Sequence, residues 1–92
     1  MKFSVIAGTE ASQTAWMTLA PGEASGPKEN EHAQSEQILY LVEGQLDAEI
    51  GERRWTMKPG DSVIVGKGVA HRFTNSGSRD AVTFNVYVPP AY

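Results

Sequence analysis

The sequence predicts an all-β fold, a small antiparallel barrel or sandwich of about eight strands, and three observations carry that prediction. About twelve residues rarely pass without Gly, Pro or a cluster of Ser, Asn and Asp, which leaves no place for a long helix. Between those breaks lie short runs rich in Val, Ile, Thr, Tyr, Phe and Trp. Several runs alternate apolar and polar residues with period two, the pattern of a strand with one buried and one wet face.

The strands are expected at about 3–7, 14–20, 37–43, 46–51, 54–58, 62–65, 70–75 and 81–88. In the second, Met17 and Leu19 alternate with Trp16 and Thr18, so one apolar face is open to solvent or to a partner. Glu43-Gly44 ends the third, and Leu46 begins the next at once, as across a tight hairpin. In the fourth, Leu46, Ala48 and Ile50 alternate with Gln45, Asp47 and Glu49. Gly51-Glu52 turns the chain, and Arg53-Arg54 reads as a solvated hairpin tip. Trp55 and Met57 continue an apolar face against Thr56 and Lys58 before the Pro59-Gly60-Asp61 turn. Asn75-Ser76-Gly77-Ser78 is a loop by composition. In the last strand Val82, Phe84, Val86 and Val88 alternate with Thr83, Asn85 and Tyr87, until Pro89-Pro90 stops the ladder.

Ninety-two residues make a single domain, 1–92. Apolar residues at 40% and charged residues at 21% are the proportions of an ordinary globular protein. No cysteine is present, so thiolate metal sites and disulfides are excluded and a cytoplasmic setting is expected. A net charge of −3 offers no footprint for nucleic acid. No stretch approaches the ~20 apolar residues of a membrane span. Phosphate loops, Gly-x-Ser-x-Gly and a cysteine nucleophile are also missing.

The segment from Gly22 to Gln37 breaks the pattern. It is almost wholly polar, reads as a long surface loop, and loops of that length tend to carry function. It holds His32, one of only two histidines. The other, His71, opens a strand in which residues 71, 73 and 75 point the same way, placing it beside Phe73 on the inward side. Taken alone, a histidine at position 71 is more often a hydrogen-bonded structural residue than a ligand.

Two stretches resemble the cupin family. Gly60, five residues, Gly66-Lys67-Gly68, two residues, His71, three residues and Asn75 follow the family's second motif, with Gly66 where proline is usual. Upstream, Ile38 to Gly44 fills the strand that ends the first motif. Counting back places Gln37 where the family has a metal-binding Glu, His32 at the second His of its His-x-His, and Asn30 at the first. The resemblance implies a double-stranded β-helix, or jelly roll, and a metal set of Asn30, His32, Gln37 and His71.

It further implies one divalent ion, with zinc, nickel, iron, manganese and copper all compatible with imidazole and amide donors. Such neutral donors leave the ion's charge uncompensated and favour a small anionic, oxygen-bearing substrate at the barrel mouth. Glu31 and Glu36 are expected to face away by strand alternation. Phe73, Trp16 and Tyr40 are the expected pocket aromatics, and the partners are a small molecule and a second copy of the chain in a homodimer. The catalytic residues are not readable, and whether the chain is an enzyme stays open. The competing reading is a non-catalytic binding or structural barrel that has lost its metal, Asn30 and Gln37 being the trace of that loss.

Overall fold

Period-two patterning resolves into eight strands in the computed structural model, which describes residues 1–92. They are β1 (Lys2–Gly8), β2 (Gln13–Leu19), β3 (Glu36–Glu43), β4 (Leu46–Ile50), β5 (Arg53–Met57), β6 (Ser62–Val65), β7 (His71–Thr74) and β8 (Ala81–Val88). Every bound lies within one residue of the sequence expectation. All pairings are antiparallel. One sheet runs β1-β2-β8-β3-β6 and the other β5-β4-β7, giving an all-β jelly roll. The structure has no helix long and apolar enough to cross a membrane.

The core lies between the two sheets. Leu19 from β2, Leu39 and Leu41 from β3, Leu46 from β4 and Met57 from β5 have no exposed surface, and Phe73 from β7 closes the layer. Gly44 makes the β3–β4 turn with a positive φ of 86°. A Cβ there would stand 2.6 Å from the Asp80 carbonyl oxygen, so the turn needs glycine for both conformation and space.

Two strands depart from the simple inside-outside reading. In β8 the inward face is Ala81, Thr83, Asn85 and Tyr87, all buried, while Val88 is 41% exposed. The apolar alternation faces outward there because the inward polar groups are hydrogen-bonded to one another and to β2, which removes the cost of burying them. In β4, Glu49 was expected on the wet side but is buried. Arg72 of β7 covers it with two hydrogen bonds, from Nε at 2.7 Å and Nη2 at 3.3 Å. That guanidinium holds the Glu49 carboxyl below its usual range.

The polar segment between β2 and β3 is tied to the edge strand β7. Ser25 N donates to Phe73 O, Asn75 N to Glu23 O, and His71 N to Glu29 O. Isolated bridges join Ala24 to Thr74 and Glu29 to His71. The segment thus caps an edge of the three-stranded sheet and delivers His32 opposite His71. The motif's Asn75 is structural: its amide donates to Leu19 O and Arg79 O, and its Oδ1 accepts from Gly77 N.

Candidate functional site

A cavity of about 200 Å³ opens at one end of the jelly roll. At ~30 Å³ of liquid volume per water it holds about six waters, room for a small organic molecule. Its floor is Met17 and Phe73 of the core, and its walls include His32, His71, Gln37 and Tyr87. Phe3, Tyr92 and Met1 stand at the opening beside Ser25 and Glu31. Gln13 fixes the chain's last residues there: its Nε2 donates to Tyr92 O at 2.7 Å, and its Oε1 accepts from Ala91 N and Tyr92 N. The Tyr92 ring then packs against Phe3 and Tyr87, at centroid distances of 4.7 and 5.1 Å.

The two histidines arrive from distant parts of the chain and meet. Their ring centroids are 4.7 Å apart and both are buried. Imidazoles on one ion with ~2.1 Å bonds have centroids about 4.6 Å apart at a right angle and about 5.3 Å apart at a tetrahedral one. His71 donates from Nδ1 to Val69 O at 3.0 Å, which leaves the Nε2 lone pair free. Burial pushes its pKa below the ordinary value, and the nearby His32 adds to that, so the ring is neutral at neutral pH.

His32 is more constrained. Its Nδ1 lies 3.2 Å from Ser35 O and its Nε2 lies 2.9 Å from Gln37 Oε1. Both neighbours are oxygens that only accept, whereas a neutral imidazole carries one N–H. One of the two contacts is therefore between lone pairs, until a second proton or a cation enters. Cis donors on an ion with ~2.1 Å bonds stand about 3 Å apart, the separation of Nε2 and Oε1 here. The residues present fit a divalent ion.

Of the expected set, His32, Gln37 and His71 share the cavity. Asn30 is half-buried and does not line it, although its Oδ1 is buried without a hydrogen-bond partner. Phe73 lines the cavity as expected. Trp16 and Tyr40 do not: they are 42% and 44% exposed on the outer face of the larger sheet, where Trp16 packs edge-on against Phe84 at 5.3 Å. Their even-numbered positions lie opposite in phase to Met17 and Gln37, which point inward. Glu31 corrects a second expectation. Residues 31–34 form a turn, so strand alternation does not govern them, and Glu31 lines the opening. It is the only carboxylate among the lining residues, and no group of three His, Asp or Glu side chains converges on one point.

Asn85 was not singled out from the sequence. Tyr87 faces the His32 ring edge-on at 5.3 Å, and burial pushes its phenol far above the ordinary range, so it remains a proton donor. The available signal was the β3–β8 pairing, which sets Gln37 opposite Tyr87 and Leu39 opposite Asn85.

Comparison with known proteins agrees with this architecture. A family model described as a cupin domain matches residues 15–87. The solved structure of TT1209 from Thermus thermophilus is similar at 25% identity and a TM-score of 0.87, over 97% of this chain and 83% of that one. KdgF from Halomonas sp. aligns at 19% identity and a TM-score of 0.86, over 96% and 77%. A sugar phosphate isomerase of a cupin superfamily from Silicibacter pomeroyi aligns at 22% and 0.79, over 90% and 54%. A comparison with curated protein sequences finds no match.

Proposed function

The chain belongs to the cupin family, and from that premise we propose that it holds one divalent metal ion between His32, His71 and Gln37 and takes a small oxygen-bearing molecule in the cavity beside it. The observation that carries this reading is the buried His32 ring, whose two nitrogens both face oxygens that only accept, Ser35 O at 3.2 Å and Gln37 Oε1 at 2.9 Å, with the His71 ring alongside. A neutral imidazole has a proton for only one of these contacts, a cost that a cation bound beside the ring offsets. Two imidazoles and an amide oxygen suit zinc, nickel, iron, manganese or copper. Asn30, whose amide oxygen is buried without a partner, lies outside the cavity lining and is left out of this donor set.

When bound, the ion supplies Lewis acidity to an oxygen of the molecule next to it. The chain's own groups do the rest. Phe73, Met17 and Phe3 shield the cavity from water and accept the apolar part of a ligand. Tyr87 holds a phenolic proton within the cavity wall. With three neutral donors the site attracts a small anionic ligand, and Glu31 at the opening offsets part of that attraction. A small-molecule role is in keeping with neighbours such as the sugar phosphate isomerase and KdgF.

Elemental analysis of untagged protein tests the reading directly. About one equivalent of a first-row divalent metal is expected, in the isolated protein or after titration of chelator-treated protein with zinc or nickel. A parent protein that stays metal-free, with a melting temperature unmoved by either ion, supports a non-catalytic binding barrel instead.

The outer face of the larger sheet supports self-association. Trp16, Ile38, Tyr40, Val42 and Ile64 are 42, 37, 44, 37 and 62% exposed on one continuous surface. The ladder aligns Trp16, Phe84 and Tyr40 across three strands. A second copy of the chain covers this face in the proposed dimer. Ile64→Asp is expected to shift sedimentation equilibrium from dimer to monomer; a parent that is monomeric at high concentration would overturn the dimer.

A further inference from the structure

We propose that Asn85 and Thr83 are positioning residues that lock Gln37 with its carbonyl oxygen toward His32, an inference that rests on the metal-site reading above. The three side chains form a buried line across the larger sheet. Thr83 and Asn85 have no exposed surface and Gln37 is 4% exposed. The line begins at main-chain carbonyls of β2, which can only accept.

The Thr83 hydroxyl donates to Met17 O at 3.5 Å and in turn accepts from Asn85 Nδ2 at 2.9 Å. The other Asn85 amide proton goes to Ala15 O at 3.4 Å. With both protons committed, Asn85 Oδ1 is left to accept, and Gln37 Nε2 donates to it at 3.0 Å. Only Gln37 Oε1 then remains to face His32 Nε2. Turning the Gln37 amide over would satisfy His32 but bring its oxygen against Asn85 Oδ1. Turning Asn85 as well would set Oδ1 against Ala15 O. The chain of bonds therefore has one direction, set by two backbone oxygens, and it ends by presenting an oxygen where an isolated glutamine would present an N–H.

Ladder pairing keeps the line in register. Ala15 pairs with Asn85 and Met17 with Thr83 across β2–β8, and Gln37 lies one strand further on β3. The consequence is chemical: an amide turned over would donate to His32 Nε2, let Nδ1–H donate to Ser35 O, and leave no amide oxygen facing the site. The locked amide holds a donor oxygen for the ion in advance, as partners of metal ligands commonly do.

Asn85→Leu removes the lock while keeping volume, and Thr83→Val weakens it by taking away one of the two acceptors that orient Asn85. The test is zinc binding by calorimetry, together with the ¹⁵N shifts of His32 in metal-free protein. In the parent, His32 is expected to carry its proton on Nε2 and donate to Gln37. In Asn85→Leu the amide turns, the proton moves to Nδ1, and zinc affinity falls by about 10–100-fold, with a smaller change in the same direction in Thr83→Val. Thr83→Ser restores the hydroxyl and is expected to behave as the parent.

Unchanged tautomer and zinc affinity in folded Asn85→Leu, or in Asn85→Ala where the leucine variant does not fold, overturn the proposal. Lower stability with the parent tautomer and parent affinity also overturns it, by reducing the two residues to packing. A parent that binds no zinc sinks the metal reading alone, because the tautomer measurement still decides the lock.

Discussion

Alanine at His71 is expected to yield a folded protein that no longer takes up a stoichiometric divalent ion. The imidazole lies at the cavity wall, 8% exposed, with its Nδ1 proton given to Val69 O. Losing that hydrogen bond costs about 0.5–1.5 kcal/mol, which a domain of this size tolerates. Losing the donor is another matter, since His32 and Gln37 alone make a two-point site. A fall in zinc affinity of more than about 100-fold is expected, beyond what removing only the hydrogen-bond partner of a ligand costs. His32→Ala should match it, because both rings face the same space. Circular dichroism separates loss of the ion from loss of the fold. Retention of one equivalent of zinc by either variant contradicts the assigned donor set.

Leu39→Ala is expected to produce the largest loss of stability among the core substitutions on β3. Leu39 has no exposed surface and sits at mid-strand, paired with Val63 on one side and Asn85 on the other. Flanking strands on both sides prevent the backbone from collapsing into the space left behind. Leucine-to-alanine changes at such positions cost about 2–5 kcal/mol. Against a total of about 5–14 kcal/mol for 92 residues, that is a large fraction. The urea midpoint should drop with an unchanged slope. Ile38→Ala, on the outward face and 37% exposed, is expected to cost under about 1 kcal/mol in the monomer. Equal losses from the two would mean that the inward face of β3 is misassigned.

Strand positions were legible because turn residues and period two are local properties. The β3–β4 and β4–β5 hairpins and the end of β8 could be placed from single residues such as Gly44, Gly51 and Pro89. Which face points inward was legible only where one face is plainly polar, as in Leu46 and Ala48 of β4. In β8 both faces are acceptable in isolation. The buried one is polar because Thr83 and Asn85 are satisfied by β2 and β3, partners that only tertiary structure supplies. The same limit explains the aromatics. Trp16 and Tyr40 are large enough to look like pocket residues, but their phase in the strand turns them away from it. His32 could be paired with His71 through the family motif and not through local pattern, since the segment that carries it is shaped by hydrogen bonds to β7. Glu31 was misjudged because alternation was applied to a turn.

Met1 and Tyr92 both border the cavity, and Gln13 anchors the second of them. Any appended oligohistidine purification handle would begin at the lip of the opening, within easy reach of the rings inside. Its imidazoles would compete for the proposed ion and reach into the cavity. Nickel or zinc recovered from such a preparation would report the handle rather than the barrel.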